Sequence, residues 1–290
     1  MHHLLYELKS LTARHREGSY NTHANRQAML WQMGEQLLAA GYNQLHVYEL
    51  KGRHVNALLR QWQADGLSPA TQKNRMAVLR WWAEKIGKPD LLQPTNAAYG
   101  IAQRQTVATV SKARALPRDK LVRVRNQYVR MSLELQRAFG LRREESLKIR
   151  PHQADHGESL VLQGSWTKGG RPREIPIRTP AQRDVLDRAK ALVRFKEASL
   201  IPKGKTYAQQ LGCYEGHCRR AGLDKMHGLR HAYAQDLFVE LAGFACPAAG
   251  GPKREVLTPA QREADYDARL VISAELGHGR EQITAAYLGR

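Results

Sequence analysis

HGREQITAAY, from His278 to Tyr287, leaves only Leu288, Gly289 and Arg290 behind it, and the rest of the chain makes most sense as its support. A histidine and a tyrosine nine positions apart prove nothing alone, because most tyrosines near a terminus are packing residues. Three further stretches lie upstream in order: FGLRREESL with Arg142, WTKGGRPREIP with Lys168, and HGLRH with His227 and Arg230. Each read singly has an ordinary explanation. Arg142 and Glu145 sit three apart on one helical face, so the plain reading is an exposed intrahelical pair. A lysine on a hairpin bend is ordinarily solvated.

Composition narrows the partner. Lys and Arg number 46 against 27 Asp and Glu, a formal charge of +19, and an excess of that size marks a polyanion such as nucleic acid before an acidic membrane. No apolar run approaches the length of a membrane span, and MHHLLYELKS lacks the long apolar core and cleavage site of a signal peptide. Three cysteines are too few for a disulfide framework, and their odd number suits a reducing cytoplasm. With 290 residues the chain has room for two domains.

The first domain, 1–95, reads as helices. Leu30, Met33, Leu37 and Leu38 give a helix over 25–40, and Val55, Leu58, Leu59 and Trp62 another over 53–64. The clearest has Ser68 as N-cap, Pro69 at its first position and Gly87 with Pro89 as stops. Trp31, Trp62, Trp81 and Trp82 are expected in the core. Arg53, Arg60, Lys73, Arg75 and Arg80 have no acidic block to balance them, and they suit contacts to DNA phosphates. Residues 96–115 lose all periodicity and read as a linker.

In the second domain, 116–290, a helix is expected over 117–138, broken at Gly140, and another from Leu141 to Ile149. The one β signal is a hairpin, ESLVLQGSW and REIPI around the turn TKGG. Lys168, Arg171 and Arg173 cluster at its tip, where long cationic side chains can enter a DNA groove. Thr179 and Gln182 have capping-box spacing ahead of the next helix. His227 and Arg230 open a helix whose Tyr233, Leu237 and Leu241 face inward. Zinc ligation by Cys213, His217, Cys218, His227 and His231 is disfavoured. Cys-x3-His-Cys is not a usual paired spacing, and HGLRH lacks the glutamate of HExxH.

In order and separation, GLRREES, TKGGRPREIP, HGLRH and ELGHGREQITAAY resemble the catalytic domain of the tyrosine recombinases (phage integrases), over about 115–290. The N-terminal helices resemble that family's core-binding domain. The resemblance implies a mainly α fold with a small β-hairpin: a helical core-binding domain plus an α+β catalytic domain. It implies Tyr287 as nucleophile forming a 3′-phosphotyrosine, with Arg142, Arg230 and His278 on the phosphate oxygens. Lys168 becomes the acid for the 5′-oxygen, His227 handles the tyrosine proton, and Glu145 is structural support. The expected activity is site-specific recombination or integration for a mobile element. It would run on double-stranded DNA in the bacterial cytoplasm, as a homo-tetramer with a possible directionality factor and no metal or other cofactor. Alternatives are a topoisomerase-like resolving enzyme using the same site, or a non-catalytic DNA-binding protein of this fold. The presence of Tyr287 and both arginines counts against the latter.

Three features depart from the family pattern. Arg230 and His278 are 48 positions apart, longer than expected, and the surplus falls in 243–269. No small additional N-terminal domain for distant arm sites is evident. Three residues after Tyr287 are too few to dock on a neighbouring subunit. Segment 243–269, Gly/Pro-rich and then helical from Thr258, is therefore expected to reach outward and couple subunits.

Overall fold

The computed structural model describes all 290 residues, which form two compact units, Met1–Gln105 and Thr106–Arg290. The first is helical: α1 (His3–Arg14), α2 (Tyr20–Ala39), α3 (Gly52–Ala64) and α4 (Pro69–Lys85). Helix α1 lies outside the sequence expectation, yet Leu4, Leu8 and Leu11 recur at helical spacing and bury it on α2. Gly34 permits the close approach, because a Cβ there would lie 2.6 Å from Leu5 Cδ2. Helix α2 starts earlier than residue 25 because Ser19 caps it, accepting from the Thr22 amide. Ser68 caps α4 in the same way through Thr71.

Trp62 and Trp82 are fully buried, and each indole N–H finds an acceptor, Gln36 Oε1 and the Val47 carbonyl respectively. Trp81 packs at the edge of the first unit's core, and Trp31 lies outside it, which corrects the core expectation for Trp31. Both are half-buried, and Trp81 lies under the Arg26 guanidinium at 4.3 Å.

The second unit contains α5 (Arg118–Arg123), α6 (Gln127–Phe139), α7 (Arg143–Lys148), α8 (Pro151–Ala154), β1 (Ser159–Leu162), β2 (Arg173–Pro176), α9 (Pro180–Val193), α10 (Tyr207–Arg220), α11 (Gly228–Ala242), α12 (Pro259–Glu275) and α13 (Ala285–Leu288). The helix expected over 117–138 is two, because Asn126 leaves helical geometry and caps α6 through the Val129 amide. The strands pair antiparallel with Leu160 opposite Ile175. Alternation in β2 buries Arg173 and Ile175 and exposes Glu174 and Pro176. Helix α10, framed by a capping box from Thr206 to Gln209, is also absent from the sequence expectation.

The boundary between the two units, Gln105 to Thr106, falls inside the stretch expected as linker. Chain on either side of that boundary is packed, Ile101 into the first unit's core and Ala108 into the second's. The first part of segment 243–269, expected to reach outward, is packed instead, while Lys253–Val256 stay exposed. Phe244 packs edge-on against Phe238, Cys246 and Ala248 are buried, and Pro247–Ala249 forms a 3-10 turn beside Gly289. Arg269 is buried between the Asp265 carboxylate and the Gly289 carbonyl. The surplus therefore supports the C-terminal end, as the carbonyls and apolar surface there need partners. Leu241, expected inside, is 39% exposed, since α11 has turned its last residues toward solvent.

Gly140 ends α6 at φ +60°, and a Cβ on it would lie 2.4 Å from Tyr233 Cδ1. Gly157 has φ +82° with nothing within 4 Å. Gly157→Ala should therefore cost only the left-handed backbone penalty, about 1 kcal/mol. Gly140→Ala adds overpacking against Tyr233 and should cost roughly 2–4 kcal/mol. Equal melting temperatures for the two variants would refute the packing argument.

Candidate active site

Four helix ends converge around Tyr287. Helix α6 ends at Gly140, α7 begins at Arg142, α11 begins at His227, and α12 ends at Leu276. Arg230, on the first turn of α11, is 1% exposed. Its Nη1 donates to the Gly140 carbonyl at 2.6 Å, its Nη2 to the Leu276 carbonyl, and its Nε to the Tyr287 hydroxyl at 3.3 Å. Arg142 Nη2 donates to the same Leu276 carbonyl at 3.2 Å, so both arginines lean on one oxygen. Burial, then the neighbouring guanidiniums of Arg142 and Arg173, push Arg230 down to about 10 against the opposing pull of Tyr287.

Three histidine rings surround the tyrosine. Centroid separations from Tyr287 are 4.6 Å for His231, 5.6 Å for His278 and 6.2 Å for His227. Burial, then Arg230 and Arg142, hold His278 at about 4. Burial, then His227 and Lys112, do the same for His231. His227, at the solvent edge, is lowered by desolvation and by the same two arginines. His278 Nε2 and His231 Nδ1 are buried without a hydrogen-bond partner, an uncommon condition for polar atoms. Both rings pack beside Tyr287.

Glu145 holds the floor. It is fully buried, accepting from the Arg142 amide at 2.6 Å and from Arg142 Nη1 at 2.7 Å. Arg173 grips it through two further bonds at 2.9 and 2.7 Å and donates its Nε to the Glu275 carbonyl. Burial alone would raise this carboxyl, but Arg173 and then Arg142 override it and hold it at about 2. Arg173, expected at a DNA groove, is thus corrected to an internal partner. Strand alternation turns it inward, and Glu145 needs its charge.

Arg142, His227, Arg230, His278 and Tyr287 are brought together. Lys168 is not; it stands exposed at the hairpin tip beside Gly169 and Gly170. Arg171 is exposed too, with Nη1 close over Gly279 and hence beside His278. In the first unit Arg53, Arg60 and Lys73 are exposed, as DNA contacts require. Arg75 and Arg80 are half-buried. Arg75 lies over Trp62, and Arg80 donates to the Gln93 carbonyl and Asn96, so both side chains are partly engaged within the unit. The sequence reading missed His231, visible in HGLRH but weighed there only as a metal ligand. It also missed Arg143, Arg219 and Lys225, which line a cleft with His227.

Glu145→Gln should destabilise the second unit by roughly 3–5 kcal/mol, because Arg173 would stay buried with half its partner lost. Since the folded pKa is depressed, this stabilisation is present above about 4.5 and is lost as pH falls toward about 2. A melting temperature unchanged by Glu145→Gln at pH 7 would remove Glu145 from the framework.

Comparison with known proteins places this arrangement. Residues 1–91 match the family model described as the N-terminal domain of phage integrase, and 102–236 match the model described as integrase. The second match takes in Arg142, Lys168, His227 and Arg230 and stops before His278 and Tyr287. No curated protein matches the sequence. Among solved structures, a lambda integrase dimer bound to a COC' core site is similar at TM-score 0.59 and 15% identity, covering 98% of this chain and 76% of that one. The Tn1549 transposon integrase in complex with circular intermediate DNA gives 0.57 and 13%, covering 100% and 96%. XerH recombinase bound to palindromic difH gives 0.55 and 16%, covering 98% and 80%. These likenesses carry the fold, and the two models between them span most of the chain. The chain belongs to the tyrosine recombinase (phage integrase) family, whose members break and rejoin DNA strands.

Proposed function

We propose that the protein is a site-specific recombinase of a mobile element that cuts duplex DNA through a 3′-phosphotyrosine on Tyr287. The observation that carries this reading is the Tyr287 hydroxyl held 3.3 Å from Arg230 Nε, inside a pocket whose arginines lack carboxylate partners of equal number. The Tyr287 oxygen attacks the phosphorus, the P–O5′ bond breaks, and the bond energy stays in the phosphotyrosine. The reverse attack by a 5′-hydroxyl rejoins the strand. Arg142 and Arg230 take the charge that grows on the non-bridging oxygens, and His278 offers its unpartnered nitrogen there. His227 accepts the tyrosine proton and Lys168, free at the hairpin tip, protonates the departing 5′-oxygen.

Duplex DNA is the substrate by this reading, with Arg53, Arg60, Lys73 and Arg171 on its phosphates. A lambda integrase tetramer bound to a Holliday junction is among the similar structures, and a homo-tetramer exchanging strands between two sites is the assembly we infer.

The test uses nicked duplexes tiled across the DNA that flanks the gene, so that a short fragment diffuses away after cutting and traps the adduct. The unaltered protein should give an SDS-resistant adduct mapping to Tyr287. Tyr287→Phe should bind the same duplexes with unchanged affinity and give none; an adduct from that variant would sink the assignment. Arg230→Lys keeps the charge but loses the fork, and single-turnover cleavage should slow by on the order of a hundredfold.

A further inference from the structure

The stretch Ala108–Arg114, which the sequence gives as linker, is laced to both elements that carry the site. Ala108 N donates to the Ala285 carbonyl at 2.9 Å, at the start of α13. A Cβ on Gly289 would lie 2.8 Å from the Ala108 carbonyl oxygen, so the chains touch on the far side of Tyr287 as well. Arg114 N donates to the Gly228 carbonyl at 3.0 Å, one residue after His227. A Cβ on Gly228 would meet Arg114 Cγ at 2.3 Å and the Lys112 carbonyl at 2.7 Å, so glycine is required for the approach.

Between these two seams runs a relay. Ser111 Oγ donates to Gln235 Oε1 at 2.9 Å, and Gln235 Nε2 donates to the Tyr287 carbonyl at 2.9 Å. Helix α13 has four residues, too few to hold its own geometry. Its buried carbonyls must be met from outside. An amide side chain could present either end to the Tyr287 carbonyl, and an oxygen there would repel it. Ala113 N donates to Ser111 Oγ at 3.1 Å, which directs the hydroxyl hydrogen toward Gln235 Oε1. That contact fixes the Gln235 amide with its NH2 on Tyr287. Neither Ser111 nor Gln235 makes a hydrogen bond to Arg142 or Arg230.

We propose that Ser111 and Gln235 are positioning residues for Tyr287, and that Ala108–Arg114 is a clasp through which the incoming chain sets the nucleophile. The proposal rests on the reading of Tyr287 given above. A pull on the chain ahead of Ala108 acts on the Ala285 and Tyr287 carbonyls, while Arg142 stays seated on Glu145. Release of the clasp frees the tyrosine and leaves the arginine pocket built.

The test compares Ser111→Ala, an exposed truncation that does not threaten folding, with Gln235→Met, which keeps length and loses both bonds. The substrates are the nicked duplexes that give an adduct with the unaltered protein. Adduct formation at saturating DNA should slow several-fold in Ser111→Ala and about ten- to a hundredfold in Gln235→Met, the scale expected when a reacting group is misplaced by about 1 Å. The DNA concentration for half-maximal rate should not move in either. Ser111→Thr, which keeps the hydroxyl, should recover most of the loss. Amide hydrogen exchange in the peptide over 281–290 should quicken in Ser111→Ala and Gln235→Met. Parent rates in both variants overturn the proposal, and so does a loss of rate matched by an equal loss of DNA affinity. No adduct from the unaltered protein overturns the reading of Tyr287 itself, and the clasp with it.

Discussion

A guanidinium shut away from water must place its N–H groups on acceptors, and Arg230 meets that demand with main-chain carbonyls instead of a carboxylate. The two it uses, Gly140 and Leu276, cap the C-terminal ends of α6 and α12. Carbonyls at a helix end have no intrahelical partner and carry the negative pole of the helix dipole. They can hold the side chain without cancelling its charge. The third N–H lies on the Tyr287 hydroxyl. One side chain thus pins two helix ends and the tyrosine together while keeping a whole positive charge in reserve.

The remainder of the site keeps that arrangement from collapsing. Arg173 and Arg142 share the single carboxylate of Glu145, and Arg178 and Tyr233 share Glu275 one layer below. Buried ion pairs of this kind contribute little net stability over an apolar packing, but losing one partner is costly. They therefore act to specify which helix ends meet. Tyr233 shows the geometric side of this: its ring fills the space over Gly140, and its hydroxyl donates to Glu275 at 2.6 Å. The carbonyl that receives Arg230 and the carboxylate that anchors Arg178 are thereby held at a fixed separation.

Helices with explicit stops and caps were legible in the sequence, such as Ser68 and Pro69 opening α4 or Thr258 opening α12. Arg142, His227, Arg230, His278 and Tyr287 were legible only through the resemblance of their motifs, since no local signal joins residues that far apart. What failed were inferences about direction. Arg173 sits in a basic loop cluster that reads as solvated, and only strand pairing with β1 decides that it points inward. Segment 243–269 reads as flexible because of its glycines and prolines. Its Cys246, Ala248 and Leu257 have no periodicity to announce that they are buried. His231 went unassigned because its neighbours in sequence suggested metal chemistry, while its neighbour in space is Tyr287.

The electrostatics of the pocket also decide what the histidines bring to it. His231 and His278 are both held at about 4, first by burial and then by nearby positive charge. Near neutral pH each is an uncharged imidazole, and the unpartnered nitrogen of His278 can donate or accept according to tautomer. Around them Arg142, Arg173 and Arg230 outnumber the one carboxylate of Glu145 that faces the same space. A phosphodiester entering between Arg142 and Arg230 would supply the missing negative charge and oppose the coulombic part of those shifts. The imidazoles would then hold a proton more readily with DNA in place than without it. On the role proposed for Tyr287, the substrate would complete the capacity to move a proton there, while the free protein keeps His231 and His278 neutral beside charged arginines.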